Sequence, residues 1–263
     1  MAKEKIWITW LPAGEGAPEP GPVVVALQKY GYATAGAAWI DNLAQLAWAS
    51  AGLTLVDPEA ADLWLIAGRQ TEWRQASIRH GLAMTAAMVA GQRGAAFPVV
   101  AVGLDFLPDA AALPTPLGSA LCLNASQPAW AIKIGPGLKR LAGAAEPEYR
   151  LAITAEQHIG LWIEVGPRAE TWQGVMFGVS GAATLTHQAV GPKEELPSRT
   201  VLEYPLKDMK LTAGDHEYTA CAVSNAIDPA TSYYVKIDGH PDRILFGGHP
   251  GTDQAEVYVL TLA

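Results

Sequence analysis

Continuous apolar runs alternate with segments of helical spacing along the first half of the chain. The apolar runs predict buried strands: KIWITWL (5–11), LTLV (53–56), ADLWLIAG (61–68) and FPVVAVGLD (97–105). Apolar spacings of three and four residues predict helices: VVVALQKYGY (23–32), DNLAQLAWASAGL (41–53) and WRQASIRHGLAMTAAMVAG (73–91). Buried strands separated by helices are typical of a parallel sheet covered on both faces, so we predict an α/β domain with a parallel sheet over residues 1–145.

A different pattern begins at Tyr149. Short runs recur at roughly ten-residue spacing, and many alternate between apolar and polar residues, as YYVKIDG (233–239) does. Gly, Pro, Asn and Asp separate these runs. The pattern is typical of antiparallel sandwiches and barrels, and we predict an all-β sandwich domain over residues 149–263. AGAAEPEY (142–149) is predicted to link the two domains, and AWAIKI (129–134) to form the last strand of the first.

Composition supports folded domains and disfavours two classes of partner. Half of the residues are hydrophobic and 17% are charged, which is enough apolar material for a core. The net charge of −8 is uneven, because residues 1–145 carry ten Lys+Arg and ten Asp+Glu, whereas residues 146–263 carry eight and sixteen. An acidic second half disfavours nucleic acids and anionic membranes, which bind basic surfaces.

Cysteines, histidines and apolar runs give no sign of a metal site or a membrane anchor. Cys122 and Cys221 lie far apart, and the histidine-containing turns match no zinc spacing, so no metal is predicted. No apolar run reaches the roughly 18–20 residues that a spanning helix needs. The N-terminal segment is too short and too rich in tryptophan for a secretory signal, and we expect a cytoplasmic protein.

Candidate binding residues cluster where the predicted strands end. In α/β domains, ligands bind beyond the carboxyl ends of the strands. An aromatic ring there can stack on a base, and an arginine can hold a phosphate, although packing and solvated charges are the alternative roles. Arg79, five residues beyond Arg74, is expected to point elsewhere. The candidates for cofactor binding are Trp10, Trp39, Asp41, Gly68, Arg69, Trp73 and Arg74.

Four features of the first half together resemble a divergent TIR domain over about residues 4–140. They are a helix leading into Leu27–Gly31, the pair Ala61–Asp62 before a hydrophobic strand, a helix beginning near Trp73, and a strand that begins at Pro98–Val99. The β domain carries no comparable resemblance. The similarity implies a flavodoxin-like fold and a role in signalling or bacterial defence.

The resemblance also implies chemistry on NAD. Active TIR domains cleave the glycosidic bond of NAD with a glutamate in the helix that follows the Ala-Asp strand, and such a carboxylate stabilises positive charge as nicotinamide leaves. Here residues 74–80 contain no glutamate. Glu72 precedes Trp73 instead, and His80 lies near the expected position of the acid. Glu72 and His80 are therefore the catalytic candidates, while a helix-start glutamate and a structural histidine are the alternatives.

Three functions are compatible with this reading. The chain is predicted to be a TIR-like protein that binds or cleaves NAD or a related nucleotide, possessing NAD glycohydrolase activity if Glu72 replaces the missing acid. A domain without that glutamate can instead serve as a non-catalytic, self-assembling scaffold, and a homo-oligomer is expected. In both cases the acidic β domain is a candidate sensor or surface for a protein partner. An unrelated enzyme whose β domain binds a glycan or peptide is the third alternative.

Overall fold

The computed structural model describes residues 4–12, 20–141, 145–249 and 257–263. Contacts divide the chain into two compact units, Met1–Glu146 and Pro147–Ala263, which we call the α/β unit and the β unit. The division falls within the predicted linker at 142–149, whose first three residues lie outside the described part. Across the described residues, no helix combines the length and apolar character needed to span a bilayer.

A five-stranded parallel sheet forms the centre of the α/β unit, which confirms the predicted fold class. Its strands are β1 (Lys5–Trp10), β2 (Ala33–Ala38), β3 (Leu63–Gly68), β4 (Val99–Gly103) and β5 (Leu121–Asn124). Its helices are α1 (Gly21–Lys29), α2 (Ala47–Val56), α3 (Gln70–Trp73), α4 (Ala76–Arg93) and α5 (Ile134–Leu141). The strand order β2-β1-β3-β4-β5 is the flavodoxin-like order of doubly wound sheets.

The central strand β3 is buried along its whole length, as expected of a strand covered on both faces. On one face, Val23 and Leu27 of α1 join the strands and the 130–134 segment in a single apolar cluster. On the other face, close helix packing depends on glycine, since a Cβ at Gly52 would lie 2.4 Å from the Met88 sulfur. Close packing on both faces holds the sheet that positions the loops beyond it.

Two predicted elements are wrong. LTLV (53–56) is not a strand but the last turn of α2, which begins at Ala47 rather than at residue 41. AWAIKI (129–134) does not form the last strand, because Trp130–Lys133 is a 3-10 helix that leads into α5. A short apolar run fits a buried helical turn as well as a strand, and here burial of Leu55 in α2 decides the outcome.

Seven antiparallel strands form the β unit, in the order β6-β7-β11-β8-β10-β9 with β12 paired to β11. They are β6 (Tyr149–Glu156), β7 (Gly160–Pro167), β8 (Trp172–Pro192), β9 (Leu206–Ala213), β10 (His216–Ile227), β11 (Thr231–Gly248) and β12 (Val257–Thr261). Gly181 and Gly239 interrupt the long strands β8 and β11 at positive φ of 82° and 88°. The β8–β11 register also shifts between Pro241 and Arg243, and such bulges bend strands.

The two ends of the bent strands pack face to face, as predicted for a sandwich. Tyr149 of β6 makes an edge-on contact with Phe246, whose ring centroid lies 4.9 Å away near the far end of β11. Cys221 of β10 lies 3.0 Å from the Tyr233 hydroxyl near the start of β11. These contacts join residues that a flat sheet would hold far apart.

Candidate functional site

Backbone hydrogen bonds align the carboxyl ends of the parallel strands. Leu11 donates its N–H to Ala67 O at 2.8 Å, and Leu104 donates to Gly68 O at 2.9 Å. Trp39 likewise donates to Trp10 O at 2.8 Å, which extends the pairing just beyond β2. The predicted binding residues therefore lie along one edge of the sheet, but they do not form one site.

Glu72 is buried in the short helix α3, with 2% of its surface exposed. Its Oε2 accepts the backbone N–H of Arg69 at 2.6 Å, and its Oε1 accepts the Thr71 hydroxyl at 2.6 Å. Asp105, at the end of the next strand, accepts the N–H of Gln70 at 3.0 Å. Glu72 therefore satisfies a backbone donor that the helix start leaves without an intrahelical partner, as the acid of a capping box does.

A cavity of about 200 Å³ lies between α3, the start of α4 and the loop after β4. Its polar lining comes from Gln70, Trp73, Arg74, Arg79 and Asp109, and its apolar wall includes residues 106–108. Glu72 does not line this cavity. Two arginines and one aspartate give the lining a net positive charge, which favours an anionic ligand.

Trp73 is a buried aromatic residue of the cavity lining. Its side chain is 4% exposed, and its indole Nε1–H has no hydrogen-bond partner among the described residues. A buried donor without an acceptor is costly, and tryptophan N–H groups normally find partners when buried. Because this nitrogen has almost no accessible surface, another part of Trp73 lines the cavity, and the N–H itself does not face it.

The two arginines have different environments. Arg74 is exposed at the cavity rim, at the end of α3. Arg79 is half-buried, its Nη2 donates to Ala112 O at 2.9 Å, and burial lowers the pKa of its guanidinium from the usual value. Asp109 uses Oδ1 to accept the N–H of Ala111 at 3.0 Å. Arg79 is thus oriented by the cavity wall, whereas the Arg74 side chain extends from an exposed position.

The expectation that Arg79 points away from Arg74 is wrong. A continuous helix over 73–91 would place the two side chains about 140° apart around its axis. The helix is instead interrupted: α3 ends at Trp73 and α4 begins at Ala76, with Gln75 in an extended conformation at ψ 125°. This break brings both arginines to the same cavity.

Trp10 lines a different, more open cavity of about 450 Å³. Its other walls are the start of α1, with Gly21 and Val24, and β2, with residues 34–36. Gln28 lies on its α1 side and donates to the Thr34 hydroxyl at 3.2 Å. Trp10 and Trp73 therefore belong to separate cavities and cannot hold one small ring together.

The remaining candidates line neither cavity. Trp39 is buried against α4, where a Cβ at Gly81 would lie 2.6 Å from its ring, and its Nε1–H also lacks a partner among the described residues. Asp41 accepts the Ser77 hydroxyl at 2.6 Å near the start of α4. His80 is buried within α4. Trp39 and Asp41 thus hold the 39–41 segment against α4.

Gly68 and Arg69 mark the turn from β3 into α3. A Cβ at Gly68 would lie 2.7 Å from Leu11, so glycine permits the close approach of the chain that leaves β1. Arg69 is exposed, and its backbone rather than its side chain contacts Glu72. Their roles in the structure are local to the turn.

The β unit contains a buried polar cluster behind the loop that follows β8. Glu164 Oε1 accepts the Ser232 hydroxyl at 2.6 Å and the N–H of Glu194 at 2.9 Å, and Arg150 Nη1 donates to Ser232 at 3.0 Å. Burial, followed by the charge of Glu164, raises the pKa of Tyr234 to about 12. Protein groups occupy these polar atoms, so the cluster fastens the loop to the sheet.

Metal ligands and family relationships add no further assignment. Within the described ranges, no group of three His, Cys, Asp or Glu side chains is arranged to hold a metal ion. No model of a known protein family matches the chain, and a search of curated proteins finds no match. The similarity to TIR domains therefore stays a prediction from the sequence.

Proposed function

We propose that the α/β unit is the nucleotide-binding module of a TIR-like signalling protein, and that it binds NAD or a related nucleotide without cleaving it through Glu72. The main support for the proposal is the cavity at the carboxyl ends of β3 and β4. There Arg74, Arg79 and Trp73 line one volume.

The chemistry of the lining favours a phosphate-bearing ligand. Arg74 can offer a guanidinium fork to phosphate oxygens in a bidentate arrangement. Phe106 and Leu107, with Trp73, add apolar surface beside this donor, which suits the base or sugar of a nucleotide.

The size of the cavity limits how much of a ligand it encloses. Sites for whole drug-sized ligands measure roughly 300–1,000 Å³, whereas this cavity measures about 200 Å³. A dinucleotide such as NAD would leave one of its two halves outside. We therefore expect a mononucleotide or ADP-ribose to bind about as well as NAD.

Cleavage through Glu72 is not part of the proposal because of where its carboxylate lies. Both oxygens accept hydrogen bonds at 2.6 Å from α3 itself, and the side chain is outside the cavity. A carboxylate that stabilises an oxocarbenium-like ribose must contact the sugar. Moving Glu72 to that position would leave the Arg69 N–H without its acceptor.

Calorimetric titration of the protein with NAD, ADP-ribose and AMP tests the proposal. Arg74→Gln should weaken binding at least about tenfold, since a hydrogen bond to a charged group contributes about 1.5–3 kcal/mol. Trp73→Phe, which leaves a smaller ring beside the cavity, should weaken it by a smaller factor. Arg69→Gln is the matched control, because Arg69 is an exposed arginine of the same turn that lines neither cavity. No binding at ~1 mM, where even weak ligands are detected, or equal losses in all three variants, would contradict the proposal.

A scaffold that assembles without catalysis is the second candidate. The engaged carboxylate of Glu72 favours it, as does the lack of a glutamate at 74–80. If the protein is such a scaffold, it should self-assemble without nucleotide, and the Arg74→Gln variant should assemble as wild type does.

A further inference from the structure

β2 is an unusually unprotected edge of the parallel sheet. It pairs with β1 on one side, and no strand among the described residues pairs with it on the other. Its sequence, ATAGAA, contains no charge and no proline, and four of its six residues are exposed. Edge strands of this kind are templates for pairing with another chain unless a charge, a proline or a bulge blocks them.

The directions of the backbone hydrogen bonds show which N–H and C=O groups of β2 are available to pair with another strand. Ala33 donates to Glu4 O and Trp39 donates to Trp10 O, so the odd-numbered residues direct their backbone groups towards β1. Successive residues of a strand alternate in this respect. Thr34, Gly36 and Ala38 therefore direct both N–H and C=O away from the sheet.

Another edge in the same chain is protected. β9 lies at the end of the antiparallel sheet, and its exposed face carries Lys207 and Lys210. Asp208 adopts φ 55°, and the pairing with β10 shifts register beside it, so a bulge interrupts this edge. The protein thus blocks pairing at β9 and leaves it open at β2.

We infer that β2 is a self-association edge, which pairs antiparallel with β2 of a second copy around a two-fold axis at Gly36. This inference concerns assembly and does not depend on nucleotide binding. In this alignment Thr34 lies opposite Ala38, and Ala35 lies opposite Ala37. All of these side chains are small and neutral, so no like charges oppose each other, as an isologous interface requires.

Apolar residues that flank β2 also match each other across the proposed antiparallel pairing of two copies. Ile40, which is 67% exposed, follows Gly36 by four residues, and the half-buried Tyr32 precedes Gly36 by four. Antiparallel pairing therefore brings each Ile40 beside Tyr32 of the second copy, with Tyr30, 40% exposed, close by. An unrelated extended peptide would satisfy the backbone groups but would not supply this apolar pair at both ends.

Light scattering after gel filtration tests the inference on the full chain, whose mass is 27.8 kDa. Wild type should approach twice that mass as its concentration rises. Ala38→Pro removes an outward N–H and should give the monomer mass, whereas Ala38→Ser keeps the N–H and should behave as wild type. A wild-type protein that stays monomeric, or a dimer that persists in Ala38→Pro, would overturn the inference.

Disulfide trapping tests the register. Ala35 and Ala37 of opposing copies form a non-hydrogen-bonded pair, with Cα atoms expected about 4.5 Å apart, which is within disulfide range. In a Cys122→Ser background, Ala35→Cys combined with Ala37→Cys should yield a covalent dimer on mild oxidation. Ala35→Cys alone should yield little covalent dimer, because residue 35 of one copy lies diagonally across the interface from residue 35 of the other. Equal trapping by the single variant, or none by the pair, would refute the alignment.

Discussion

Replacing Glu72 distinguishes a structural role of its carboxylate from a catalytic role. Glu72→Ala removes the acceptor of the Arg69 N–H and of the Thr71 hydroxyl, both bonded at 2.6 Å. Thr71 is exposed and can turn to water, but the backbone donor loses its partner beside a buried position. Glu72→Gln keeps the shape, because its amide oxygen can accept from Arg69 and its NH2 can donate to Thr71.

The expected losses of stability differ between the two variants. A hydrogen bond to a charged group contributes about 1.5–3 kcal/mol, and an unsatisfied buried donor costs about 1–3 kcal/mol. Glu72→Ala should therefore lower the free energy of unfolding by about 2–4 kcal/mol. Glu72→Gln exchanges charged for neutral hydrogen bonds and should lower it by about 1 kcal/mol.

Urea unfolding followed by tryptophan fluorescence measures these changes. Seven of the nine tryptophans lie within the first 130 residues, so the signal reports mainly on the α/β unit. With a slope of about 2 kcal/mol/M, Glu72→Ala should lower the urea midpoint by about 1–2 M. Glu59→Ala is the control, because Glu59 is exposed and its ion pair with Lys5 lies at the surface.

Two outcomes would refute this reasoning. If Glu72→Ala unfolds at the wild-type midpoint, the carboxylate does not stabilise the start of α3. If Glu72→Gln leaves stability unchanged but abolishes nicotinamide release that wild type shows, Glu72 is a catalytic acid.

Two further predictions concern the β unit. Tyr204 has φ 46° and is 83% exposed, so Tyr204→Gly should raise stability by about 1 kcal/mol in thermal unfolding, whereas Tyr204→Ala keeps the left-handed cost and should not. Burial raises the pKa of the Cys221 thiol from 9.0 to about 11. The contribution of this raised pKa to the free energy of unfolding is therefore complete below pH 9 and is lost as the pH rises to 11. Urea midpoints should fall over that interval by an amount equivalent to at most roughly 3 kcal/mol, and Cys221→Ala should reduce the slope. An equally steep fall in Cys221→Ala would assign the titration to other groups, such as Tyr233, whose pKa is also raised by burial.

The sequence predicts those parts of the fold that periodicity encodes. β3 and β4 are buried on both faces, so their apolar runs identify them without ambiguity. The run at 53–56 fails as a prediction because Leu53 is exposed and Leu55 buried on the same helix, which a four-residue window cannot distinguish from a strand. Long-range packing, not local pattern, decides such segments.

The candidate site is only partly encoded in local sequence. The position of Trp73 and Arg74 after β3 follows from topology, because strand ends gather at one edge. The participation of Arg79 depends on the extended Gln75, and the wall at 106–108 depends on the path of a loop without periodicity. Neither feature is visible in residue spacing, and both arise from the meeting of distant segments.

Proton NMR of NAD mixed with the protein tests nucleotide binding without cleavage most directly, because it detects both events in one sample. We expect saturation transfer from the protein to NAD, a marked loss of transfer in Arg74→Gln but not in Arg69→Gln, and no free nicotinamide. Nicotinamide that accumulates with wild type and disappears with Glu72→Gln would contradict this expectation, as would the absence of any transfer.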